Sequence, residues 1–153
     1  MDDMNASIKN SLIEDWQATP EEIEQFFSLM KVMKTAAEKS RDNENPDSKP
    51  SEIIEDLLYH GDLGHACNMD LLKSLDVKRI LNVCDCQLDE SSEQNFNILW
   101  RCINDDSSED IDSHFEDTNQ FLDECRKTNE KVLVHCQMGI SRSSTIVLAY
   151  LMK

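Results

Sequence analysis

Apolar positions in the first fifty residues recur at helical spacing. Ile23, Phe26, Phe27, Met30, Met33 and Ala37 share one face of a helix predicted from Pro20 to about Lys39. The stretch "TPEE" supplies its start, with Thr19 as N-cap, Pro20 in the first turn and Glu22 reaching back as a capping box. Such a stripe must be covered, either by the chain's own domain or by a partner protein for which the N-terminal helix is a docking element. Residues 1–18 are polar overall and are expected to fray. "SRDNENPDSKP" (Ser40–Pro50) combines two prolines with mixed charge and no large apolar side chain, the composition of a linker.

From Ser51 the pattern changes. "IIEDLLYHG" predicts a short strand or hairpin edge ending at Gly61, and "NMDLLKSLDV" (Asn68–Val77) a helix with Leu71, Leu72 and Leu75 inward. "RILNVC" (Arg79–Cys84) and "FNILWRCI" (Phe96–Ile103) are apolar runs of strand length. "HFEDTNQFLDECRK" places Phe115, Phe121, Leu122 and Cys125 near helical spacing. "KVLVHC" reads as a buried strand and Ser143–Lys153 as a buried helix. Strands alternating with helices imply an α/β fold, a central and mostly parallel sheet flanked by helices. The chain thus divides into an N-terminal extension over 1–49 and one domain over 50–153.

Charge narrows the partners. The 153 residues carry 31 acidic against 15 basic side chains, a net charge of −16. That field repels nucleic acid, phosphoinositide headgroups and anionic membrane surfaces, so a phosphorylated ligand has to be held by local groups. No apolar run reaches signal-peptide or membrane-spanning length, and a cytoplasmic or nuclear protein is expected. Six cysteines (67, 84, 86, 102, 125 and 136) without a secretory signal read as reduced thiols. Cys84-x-Cys86 is too tight for a zinc site, so no metal and no cofactor is expected.

The chemistry concentrates in "VLVHCQMGISRSSTIVLAY" (Val132–Tyr150), a strand and a helix joined by a loop. At such a junction the first helical N–H groups lack intrahelical partners and the macrodipole favours an anion. Successive amides from Gln137 to Arg142 can curl around a tetrahedral dianion, with Gly139 supplying backbone freedom. Arg142 adds a planar fork that makes two parallel bonds to phosphate oxygens. Cys136 lies at the base of this bowl, where the same positive environment favours a thiolate. A thiolate beneath a bound phosphoryl group is placed to attack phosphorus.

"HCQMGISRS" (His135–Ser143) resembles the His-Cys-x-x-Gly-x-Ser-Arg-Ser signature of the cysteine-dependent dual-specificity protein phosphatases. The resemblance runs from about Pro50 to Lys153 and includes "KPSEIIEDLLYHGD" and "ACNMDLLKSLDVKRILNV". It implies a protein-tyrosine-phosphatase-like fold and hydrolysis of phosphotyrosine and phosphoserine or phosphothreonine monoesters through a phosphocysteine intermediate. It also implies further C-terminal helices, so the domain is expected to be truncated after Lys153. By the resemblance Cys136 is the nucleophile and Arg142 the phosphate clamp. His135 holds the loop, and Ser143 donates a hydrogen bond to the departing thiolate. Gln137, Met138, Gly139, Ile140 and Ser141 complete the substrate-binding loop. The family's general acid lies ten residues before the aromatic that opens the next helix. Counting back from Phe115 gives Asp105, with Asp106 as the alternative. Some relatives pair the nucleophile with a second thiol in a reversible disulfide, and Cys84 is the candidate redox partner here. Its other reading is a small buried apolar residue.

Rival functions keep the loop and change its use. A phosphoinositide or RNA phosphatase would call for lysines around the bowl, and Gln137, Met138 and Ile140 provide none. A phosphate-binding adaptor, or an inactive truncated fragment, is the other alternative. The expected partner is a phosphorylated protein, with basic residues flanking the phosphosite to suit the acidic loops.

Overall fold

The computed structural model describes residues 2–14, 17–41 and 48–153. Linker residues 42–47 and the side chains of Met33 and Ala37 lie outside the described residues. In chain order the elements are α1 (Asp2–Glu14), α2 (Pro20–Arg41), β1 (Ser51–Ile54), β2 (Leu58–Gly61), α3 (Leu63–Cys67) and α4 (Met69–Ser74). Then come β3 (Val77–Asn82), α5 (Glu90–Asn95), β4 (Asn97–Trp100), α6 (Phe115–Thr128), β5 (Lys131–His135) and α7 (Arg142–Leu151). A 3₁₀ turn, Asp112–His114, leads into α6.

The strands form one sheet in the order β1-β2-β5-β3-β4. The β1–β2 hairpin pairs antiparallel, and every other neighbouring pair is parallel. Alternation along the strands sends Leu58, Leu81, Val132 and Val134 to one face and Tyr59, Ile80 and Leu133 to the other. The first face packs with residues of α1, α2, α6 and α7, the second with residues of α3 and α4. Burial on both faces is the reason the strands read as continuous apolar runs.

Helix α2 begins as its sequence predicts. The Thr19 N–H donates to Glu22 Oε2 at 2.7 Å and the Glu22 N–H to Thr19 Oγ1 at 3.3 Å. Ile23, Phe26 and Met30 are buried in the larger core, and α2 lies along α7. The described part of the apolar stripe is therefore covered within the chain.

Several elements depart from the sequence reading. Residues 1–18 hold a helix, α1, in place of a frayed end. Ile8 and Leu12, one turn apart, are both fully buried and join the core that contains Ile111 and Phe115. Two such anchors are too few to register as a stripe, yet tertiary packing makes a weakly amphipathic helix stable. Helix α5, "ESSEQN", has no apolar residue and buries only Ser92, so periodicity misses it; its signal is the Asp89 N-cap, which accepts the Ser92 N–H at 2.8 Å. Within the predicted 68–77 helix, Leu72 is buried whereas Leu71 and Leu75 are half-exposed. The strand predicted to run to Ile103 ends at Trp100.

Candidate active site

The parallel strands bring their C-terminal ends to one edge, where open α/β sheets hold ligands. From that edge come Gly61 at the end of β2 and Asp62 after it, Cys84 and Asp85 after β3, Asp105 beyond β4 and Cys136 after the central β5.

Cys136 is 2 % exposed. Its Sγ accepts the Gly139 N–H at 3.2 Å and the Ser143 hydroxyl at 3.1 Å, so the sulfur faces into the loop. Gly139 has φ +64°, and a Cβ there would sit 2.9 Å from the Gly61 carbonyl oxygen. Backbone angle and close approach both demand glycine. The Leu63 N–H donates to Gln137 O at 3.2 Å, so the segment after β2 braces the loop. The Thr145 N–H is the donor that reaches back to Ser141 O, at 2.9 Å. The amides of Arg142, Ser143 and Ser144 therefore precede the first intrahelical bond, where an anion is welcome. Gln137 and Met138 are exposed and Ile140 and Ser141 half-buried, which makes them the rim.

Arg142, the first residue of α7, is buried to 4 % exposure. Its Nη1 donates to Ile103 O at 2.8 Å and to Asp85 Oδ1 at 3.3 Å, while Nη2 lies 4.0 Å from Asp105 Oδ2. A guanidinium has five N–H donors. Among the described residues its hydrogen bonds run through Nη1, which anchors the plane.

Asp105 and Asp106 differ in employment. Asp106 Oδ1 accepts the Ser108 N–H at 2.8 Å and the Ser108 hydroxyl at 2.7 Å, and these bonds hold its carboxyl below the usual range. A carboxylate stabilised in its ionised form is a poor proton donor. Asp105, with a 68 % exposed side chain, is the one beside Arg142. Asn104 bonds Glu109 Oε2 through its amide N–H at 3.1 Å and through Nδ2 at 2.9 Å, closing the loop around both.

His135 is fully buried. Nδ1 stands 3.3 Å from Cys136 O, an acceptor only, so Nδ1 carries the proton. Among the described residues nothing hydrogen-bonds the buried Nε2, and burial lowers the ring to about 4. Cys84, also fully buried, places Sγ 3.8 Å from the same Nδ1. Burial, with the charges of Cys86 and Cys136 adding, pushes its thiol up to about 12.

Sequence reasoning missed two participants. Asp85 anchors Arg142 from the loop after β3, and nothing in "VCDCQ" marks it. His60 on β2 reaches Ser143 with Nε2 2.8 Å from Oγ. A histidine inside the run "LLYHG" was its only signal.

Residues 58–153, well over half the chain, match the family profile described as dual specificity phosphatase, catalytic domain. Dual specificity protein phosphatase Mpk3 of Drosophila melanogaster is 40% identical over 109 residues, covering 71% of this chain and 26% of that protein. Dual specificity protein phosphatase 5 of Homo sapiens is 40% identical over 104 residues, 68% of this chain and 27% of that one. The chain thus spans about a quarter of the length of these relatives. The crystal structure of DUSP15 superposes with a TM-score of 0.63 at 29% identity, covering 67% of this chain and 64% of that one. Family profile, relatives and superposition agree: the chain belongs to the dual specificity phosphatase catalytic-domain family.

Proposed function

We propose that this domain hydrolyses phosphate monoesters on protein side chains, phosphotyrosine and phosphoserine or phosphothreonine, through a phosphocysteine on Cys136. The observation that carries the reading is the buried Cys136 Sγ, which accepts hydrogen bonds from both its loop and the first turn of α7. In the first step the Cys136 thiolate attacks phosphorus, and the phosphoryl oxygens rest on the α7 amides and the Arg142 fork. Asp105 protonates the departing oxygen. In the second step water displaces the sulfur, Asp105 takes the water's proton, and the Ser143 hydroxyl supports the leaving thiolate. His135 fixes the carbonyl of Cys136, and the loop from Gln137 to Ser141 encloses the phosphate.

Hydrolysis of p-nitrophenyl phosphate by wild type, Cys136→Ser, Asp105→Asn and Asp106→Asn tests this. Cys136→Ser should abolish turnover. Asp105→Asn should slow phenyl phosphate, with its poorer leaving group, more than p-nitrophenyl phosphate, and Asp106→Asn should leave that ratio unchanged. Full activity in Cys136→Ser overturns the reading.

Exposed Asp85, Asp105 and Asp106 around the site, within a chain of net charge −16, favour phosphosites flanked by lysine or arginine. Equal kcat/KM for phosphopeptides with acidic and basic flanks at low salt would contradict that preference. Among the described residues no helix is long and apolar enough to cross a membrane, and a phosphoprotein phosphatase of this kind fits the cytoplasm or nucleus. Cys84 is the proposed redox partner: a Cys136 sulfenic acid and the Cys84 thiol would give the disulfide and water. The raised Cys84 pKa makes that step slow, because the thiolate is the attacking form. Peroxide treatment that leaves no Cys84–Cys136 peptide by mass would refute it.

A further inference from the structure

The contact between His60 and Ser143 is buried at both ends, with His60 7 % exposed and Ser143 fully enclosed. His60 lies on β2 opposite Val134 of β5, two positions before Cys136. Its Nε2 is 2.8 Å from Ser143 Oγ and 3.4 Å from Ser144 Oγ. Ser143 Oγ is in turn 3.1 Å from Cys136 Sγ. A line of three groups therefore runs from the sheet to the nucleophilic sulfur.

The proton inventory fixes the direction of that line. A serine hydroxyl has one proton to give and two lone pairs. A thiolate only accepts, so the Ser143 proton must point at Sγ. Its oxygen is then the acceptor at the 2.8 Å contact, and His60 Nε2 must carry a hydrogen. Burial holds the ring down at about 4, so the donor is a neutral imidazole near pH 7. The opposite tautomer would present a bare Nε2, which would draw the Ser143 proton away from sulfur.

We propose that His60 is a positioning residue that commits the Ser143 proton to Cys136 Sγ. The inference rests on the phosphatase reading above. Its effect should fall on the second step. There sulfur is the leaving group and regains its negative charge as the phosphocysteine bond breaks, so the Ser143 hydrogen bond strengthens toward that transition state. In the first step sulfur loses charge to phosphorus, and the same bond gives no advantage.

Rapid-mixing kinetics with p-nitrophenyl phosphate separates the steps. His60→Leu should retain a burst of nitrophenol close to one per active site. The steady state should then slow by about tenfold to a hundredfold, the value of a hydrogen bond to a charged group. His60→Gln, whose amide can donate near the Nε2 position, should recover to within about fivefold of wild type. In a Ser143→Ala background, His60→Leu should slow the second step no further. An unchanged steady state, a burst rate reduced as much as the steady state, or further slowing in the Ser143→Ala background would overturn the proposal. Should His60→Leu not fold, imidazole ¹⁵N shifts of the wild-type protein decide: a protonated Nε2 supports the proposal and a protonated Nδ1 alone sinks it. An inactive wild type would instead sink the phosphatase reading itself.

Discussion

Lowering the pH from 7.5 to 5 should destabilise this domain well before its carboxylates matter. His60 and His135 are buried, and desolvation lowers each from the usual 6.5 to about 4. Between those values the unfolded chain binds protons that the folded chain refuses. Stability is therefore complete above about 6.5 and falls as the pH drops toward 4. At pH 5 an unfolded histidine is almost fully protonated and these two are almost fully neutral, a difference of about 2 kcal/mol for each. Together they remove about 4 kcal/mol, against about 5–15 kcal/mol for a whole domain. Geometry agrees with the sign, since protonating His135 would put an N–H at its buried, unpartnered Nε2. Urea unfolding at pH 7.5, 6 and 5 measures the slope. The double variant His60→Gln with His135→Asn should flatten it by about 4 kcal/mol over that interval. The carboxylate window is separate. Bonds from His65 hold Asp62 at about 2, so its contribution is present above the ordinary carboxylate range and lost only as the pH falls toward 2. Loss of stability confined to pH below 4, or a slope unchanged in the double variant, would refute the argument.

Gly139→Ala should both destabilise the domain, by about 1–3 kcal/mol from backbone strain, and cripple turnover, because its Cβ meets Gly61 O at 2.9 Å; thermal melts and p-nitrophenyl phosphate assays check both. Phe26→Ala removes a fully buried ring from the core that α2 shares with α7 and should cost about 3–5 kcal/mol; an unchanged urea midpoint would show that the extension is dispensable. Arg142→Lys keeps a charge and loses the planar fork, so kcat should fall by about 10²–10³ with the fold intact by circular dichroism.

The parts of the fold legible in the sequence were those with a strong period. The α2 cap, the β5 run and the α6 face were all readable because each pairs a local signal with a buried stripe. Helix α1 was not, since Ile8 and Leu12 acquire their meaning from Ile111 and Phe115, a hundred residues away. The loop from Cys136 to Ser143 was legible because a cysteine, a glycine and an arginine fall within one seven-residue run between a buried strand and a buried helix. Its supports come from other strands. Asp85, Gly61 and His60 reach the loop only after β2 and β3 flank β5, and no spacing rule relates them. The choice between Asp105 and Asp106 is a case between these two. Counting residues favoured Asp105, and the bonds that occupy Asp106 give the same preference a physical reason.

The central claim is that the Cys136 sulfur receives the phosphoryl group. Rapid acid quench of the protein mixed with a phosphotyrosine peptide, followed by peptide mass analysis, addresses it without intermediates of interpretation. The account predicts a phosphate adduct on the peptide containing Cys136, absent from Cys136→Ser. Turnover with no adduct on that peptide, or an adduct on another residue that survives in Cys136→Ser, would contradict it.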